Sequence, residues 1–166
     1  MLEGTSVETA QELQMALVRI LIVDDFDLWK SFVSARLRER PDLEIIGFAS
    51  DGLQAVQKAE ELQPDLILLD MMLPKLNGIE AAQQIRKVAP LTKILFVSSE
   101  SDLESVRSAF QAGGSGYISK MDAAEQLLDG IESILRGERF ISPGLADSGN
   151  VTDPQDSGSE DENTAT

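Results

Sequence analysis

The residues with chemical potential lie where short apolar runs stop. Asp24 and Asp25 follow RILIV, Asp70 follows LILL, Ser98 and Ser99 close KILFVSS, and Lys120 follows GYIS, which contains Tyr117. Three carboxylates brought to one crevice repel one another; at an effective dielectric near 20, each pair about 4 Å apart costs roughly 4 kcal/mol. Such a group needs a cation. The chain has no cysteine and no histidine, so any metal is held by oxygen alone, and carboxylates with water suit Mg²⁺. A lysine and a hydroxyl beside the metal supply donors for an anion bound to it. Metal, carboxylate nucleophile, ammonium and hydroxyl make up a site for phosphoryl transfer, with an oxygen of Asp70 able to attack.

These residues converge only if the elements bring them together. Five apolar runs read as buried strands: Arg19–Asp24, Leu43–Ala49, Asp65–Asp70, Lys93–Ser98 and Gly116–Ser119. Stretches with three-to-four-residue apolar spacing follow them as helices: Leu28–Arg40, Gly52–Leu62, Gly78–Ala89, Leu103–Ala112 and Ala123–Arg136. Asp27, Asp51, Asn77, Ser101 or Asp102, and Asp122 stand as caps, and Pro41, Pro64 and Pro90 as stops. Strands apolar on both faces, alternating with helices, predict an α/β fold: a doubly wound, five-stranded parallel sheet with five helices, flavodoxin-like in the order 2-1-3-4-5. In that order ligands bind at the carboxyl ends of the strands, around the switch point between strands one and three. The polar positions named above lie at those ends.

Charge and composition exclude several function classes. The formal charge is −15, which argues against direct contact with a nucleic-acid backbone. The absence of histidine and cysteine removes Ser-His-Asp catalysis, thiolate zinc sites, disulfides and a phosphohistidine-carrier role. Residues 1–18 hold three acids and no base, and residues 145–166 hold six acids and no base. Residues 1–18 are expected to form an N-terminal extension, helical through Val7, Leu13, Met15 and Leu17. Residues 19–144 form the domain, and 145–166 an acidic disordered tail. No basic residue precedes Arg19, and Arg19 interrupts the longest apolar stretch. The protein is expected to be soluble and cytoplasmic, without a membrane span.

Taken singly, each site residue has an ordinary reading: a polar strand exit, a turn hydroxyl, a solvated lysine, a packed aromatic. Their conjunction at one crevice is specific. The succession IVDDF, LLDMMLPKLNGIE, ILFVSS and GYISK resembles the receiver domain of two-component response regulators, over about Arg19–Pro143. The stretch Ala109–Pro143 is similar in particular to the NarL/LuxR-type subfamily. That resemblance implies Asp70 as phosphoacceptor. It implies Mg²⁺ held by Asp25, Asp70 and the backbone carbonyl of Met72, with Asp24 acting mainly through metal-bound water. Ser98 would contact the phosphoryl group, Lys120 would pair with one of its oxygens, and Tyr117 would be the switching aromatic, turning inward as Ser98 moves. Pro74 and Gly78 match the turn after the phosphoacceptor. The partners implied are a sensor histidine kinase or phosphotransfer protein near the first helix, and a homodimer dependent on phosphorylation. The output face is expected on the fourth helix, fifth strand and fifth helix.

Two departures stand out. Met121 replaces the proline common after the lysine, and an acidic tail follows Pro143 where the subfamily carries a helix-turn-helix domain. Rival readings fare worse. A phosphatase of the haloacid dehalogenase type needs an Asp two residues after its nucleophile, where this chain has Met72. A flavodoxin needs a Ser/Thr/Gly-rich phosphate loop after the first strand, where this chain reads DDFDLW. A fold-retaining interaction module without phosphorylation, or a truncated DNA-binding regulator, are the remaining alternatives.

Overall fold

The computed structural model describes residues 17–146. The strands are β1 (Val18–Val23), β2 (Leu43–Ala49), β3 (Leu66–Leu69), β4 (Lys93–Ser98), β5 (Gly116–Ser119) and β6 (Phe140–Ile141). The helices are α1 (Asp27–Leu37), α2 (Gly52–Leu62), α3 (Gly78–Val88), α4 (Leu103–Gln111), α5 (Ala123–Leu135) and a short α6 (Pro143–Ala146). All strand pairs are parallel, and the sheet order is β2-β1-β3-β4-β5-β6. The expected five-strand order is present, with one strand and one helix added at its end.

Alternation along the strands divides the core into two. Leu21, Val23, Ile67, Leu69, Ile94, Phe96 and Tyr117 face α2, α3 and α4. Ile20, Ile22, Leu66, Leu68, Leu95, Val97 and Ile118 face α1 and α5. A strand covered on both sides has no solvent face for polar residues, which is why β1, β3 and β4 read as continuous apolar runs. Each fully buried aliphatic side chain here contributes roughly 1.5–3 kcal/mol relative to exposure.

Three caps form as read: Asp51 accepts from Gln54 N–H, Asn77 from Glu80 N–H and Asp102, rather than Ser101, from Ser105 N–H. Two do not. Phe26 occupies the cap position of α1, and Asp27 is its first helical residue, paired instead with Lys30 at 3.2 Å. Asp122 precedes α5 in a helical conformation with no side-chain cap hydrogen bond.

The C-terminal end of the domain departs most from expectation. Phe140 and Ile141 pair with Gly116 and Tyr117, so β5 is not an edge strand. Leu145, assigned from sequence to the tail, is 3% exposed and packs in the cluster that holds Tyr117, Val106 and Phe110. The β5 edge of the expected output face is thus covered by the chain's own segment. Val18, assigned from sequence to the N-terminal extension, opens β1, and Ala146 closes α6; residues 1–16 of the expected extension and 147–166 of the expected tail lie outside the described residues. Among the described residues no helix is long and apolar enough to cross a membrane.

Candidate functional site: an acidic crevice at the carboxyl ends of the strands

The parallel register brings the site together. Val23 lies beside Leu69 in the β1–β3 pair, and the next residue, Asp70, donates its N–H to Val23 O at 3.1 Å. Asp24 donates its N–H to Ala49 O at 3.1 Å. Both carboxylates therefore leave the sheet at the same level. Ser98 lies beside Ser119 in the β4–β5 pair, and Lys120 N–H donates to Ser98 O at 2.9 Å. The loop after Asp70 folds back on itself at Gly78, where a Cβ would lie 2.2 Å from Asp70 O, closer than atoms approach. A residue without a side chain is required there for α3 to start so near Asp70.

Asp24 and Asp70 are buried, at 1% and 5% exposure, while Asp25 is exposed. One carboxylate oxygen from each of the three lies within 4.8 Å of the others. Asp24 Oδ1 accepts from Phe26 N–H at 2.9 Å, and Asp70 Oδ1 from Met72 N–H at 3.3 Å. The Lys120 ammonium stands 2.7 Å from Asp24 Oδ2 and 3.5 Å from Asp70 Oδ2. Asp24 Oδ2 is buried and, apart from this ion-pair contact, makes no hydrogen bond. Three carboxylates so close together, one of them holding a buried oxygen with no hydrogen bond, are the donor set a hard divalent ion takes. The residues present fit such an ion.

Burial raises the Asp70 carboxyl to about 6; the Lys120 charge works against the rise and the Asp24 charge adds to it. Burial likewise pushes the Tyr117 phenol up to about 12, opposed by its contact with the Ser98 hydroxyl, so it stays a neutral hydrogen-bond donor. Ser98 is fully buried and its Oγ accepts from Glu100 N–H at 3.2 Å.

The aromatic expected to turn inward is already inward. Tyr117 is fully buried, stacked near Phe96 at 6.4 Å between ring centroids. Its hydroxyl donates to Glu100 O at 2.5 Å, with Met71 Sδ at 3.3 Å. Burying so large a ring is favourable only with a partner for its O–H, and the β4–α4 loop supplies it. Met121 is 93% exposed, and the peptide bonds of the described residues are all trans.

Sequence reading missed two neighbours of the site. Trp29, the only tryptophan, lies with its ring centroid 4.9 Å from Lys120 Nζ; its place in the first turn after DDFD was the available signal. The Met71 thioether at the tyrosine hydroxyl carried none.

A response regulator receiver domain model matches residues 20–132. The chain belongs to the response regulator receiver domain family. The receiver is 35% identical over 126 residues to the response regulator protein VraR of Staphylococcus aureus, covering 76% of this chain and 60% of VraR. This chain thus spans about 60% of the length of that relative. Its structure is similar to that of a LuxR-family two-component response regulator from Aurantimonas sp. SI85-9A1, with TM-score 0.75, 34% identity and coverage of 79% and 94% of the two chains. It is also similar to the receiver domain of the response regulator NarL from Mycobacterium tuberculosis, with TM-score 0.70, 25% identity and coverage of 74% and 98%. Its relatives are therefore LuxR/NarL-type response regulators, as the motifs implied.

Proposed function

We propose that this receiver takes a phosphoryl group onto Asp70 from a phosphohistidine of a sensor histidine kinase or phosphotransfer protein, and that the change is read by other molecules as a signal. The observation that carries the reading is the setting of Asp70. Its carboxylate is buried, steadied by Met72 N–H, faced by the Lys120 ammonium, and grouped with two further carboxylates. Asp24, Asp25 and Asp70, with the Met72 carbonyl that the family resemblance adds, would hold Mg²⁺, which when bound neutralises charge on phosphoryl oxygens.

The chain's own groups account for the rest. An Asp70 oxygen attacks phosphorus; the O–P bond forms as the P–N bond to the donor imidazole breaks, and the imidazole leaves. Lys120 turns from the two carboxylates toward the transferred oxygens, and the Ser98 hydroxyl donates to another. Hydrolysis of the acyl phosphate restores the carboxylate. The cycle is signalling rather than substrate turnover.

The reading is tested by intact mass of the purified chain with acetyl phosphate and Mg²⁺. Wild type is expected to gain one phosphoryl group, and the gain should vanish in Asp70→Asn and with EDTA. No gain from any small donor or kinase would overturn it.

A further inference from the structure

Lys120 carries the positive charge at the crevice, and more than carboxylates hold it there. Its ammonium lies between Asp24 Oδ2, at 2.7 Å, and the ring of Trp29, at 4.9 Å from the centroid. The lysine side chain is 18% exposed, so little water competes for the charge. A cation over an indole face is attracted by the ring quadrupole, more strongly where water is excluded. Trp29 is itself fixed: it is the third residue of α1, its ring lies 5.2 Å from that of Phe32, and both pack against the buried cluster shared by β1, α1 and α5. A lysine has four flexible bonds and much rotamer freedom to lose. The ring and the Asp24 carboxylate together confine its tip, while Asp70 Oδ2 stands farther off at 3.5 Å.

We propose that Trp29 is a positioning residue for phosphoryl transfer. Its indole face holds the Lys120 ammonium beside Asp70 and yields it to the phosphoryl oxygens once they arrive. The inference rests on the phosphoacceptor reading above. Packing alone would also explain an aromatic side chain at this place, but packing does not require the ring to meet a charge, and the two accounts differ in what they predict. Under the positioning account, the emission of the only tryptophan responds when the site is filled, and the response depends on Lys120.

The test uses the full chain with Mg²⁺ and beryllofluoride, an analogue of the phosphoryl group, and follows indole emission. Labelling rates with acetyl phosphate are read by intact mass. Emission is expected to shift on beryllofluoride addition in wild type and not in Lys120→Gln. Trp29→Leu should label about 5-fold more slowly, the equivalent of ~1 kcal/mol, and Trp29→Phe, which keeps a ring face, within about twofold of wild type. Trp29→Leu labelling at the wild-type rate would overturn the proposal, as would Trp29→Phe slowed as much as Trp29→Leu. Should Trp29→Leu fail to fold, wild-type emission unmoved by beryllofluoride overturns it alone. Absence of any mass gain in wild type instead removes the phosphoacceptor reading itself.

Discussion

At the residue scale, the Asp70 carboxylate is held in an environment that disfavours its charge. Its folded value, about 6, lies above the ordinary carboxylate value because of burial first and Asp24 second. A raised value means that the folded state binds the proton more tightly than the unfolded chain does. The associated stability is complete below about pH 4 and is lost as pH rises through about 6. Asp70→Asn removes that loss. In metal-free buffer its urea midpoint should exceed that of wild type at pH 7.5, by roughly 1–2 kcal/mol of stability, and the difference should shrink towards pH 4. An equal difference at both pH values would contradict the assignment. Met72, 63% exposed and two residues beyond Asp70, has no side-chain group to orient an attacking water. Met72→Asn is expected to shorten the lifetime of the phosphorylated form several-fold, read as decay of the labelled mass after donor removal; unchanged or slower decay would count against it.

At the element scale, the strand and helix order was legible because parallel strands covered on both faces must be apolar throughout, and helices carry a 3.6-residue apolar period. Gly52–Leu62 and Lys93–Ser98 match their elements at both ends. The site residues were legible for the same reason: the fold sends strand ends to one crevice, so position after an apolar run predicted proximity. Three things were hidden. β6 has two residues and α6 four, too short for any period to show. The cap of α1 is Phe26, whose side chain cannot accept a hydrogen bond, so the nearby Asp27 drew the assignment. The Trp29–Lys120 contact joins two elements far apart in sequence, and its one trace was the place of Trp29 just after DDFD. The added segment is a packed part of the domain. Leu145→Ala should cost about 2–3 kcal/mol in urea unfolding, whereas a change of under about 0.5 kcal/mol would mean the segment is a loose appendage. Because Ser142 N–H donates to Tyr117 O at 3.0 Å, movement of Tyr117 should be felt along β6. Amide exchange at residues 140–145 is expected to change when Asp70 is modified, and identical protection in both forms would separate the two.

At the scale of the whole molecule, most of the −15 charge sits on the two ends, and within residues 19–144 the excess of acids over bases is six. The acids gathered at the crevice are Asp24, Asp25 and Asp70. A divalent ion that binds the folded crevice and not the unfolded chain stabilises the fold by mass action. Millimolar Mg²⁺ should therefore raise the melting temperature, and Asp25→Ala should abolish most of the rise. If the rise survived, general screening of an acidic chain would explain it. The proposed switch depends on one covalent event at one oxygen. The decisive measurement is to label the chain with a phosphohistidine donor, trap the acyl phosphate by borohydride reduction, and map the modified residue by peptide mass spectrometry. Modification is expected at Asp70 alone; modification at Asp24 or Asp25, or none with any donor, would contradict the phosphoacceptor role.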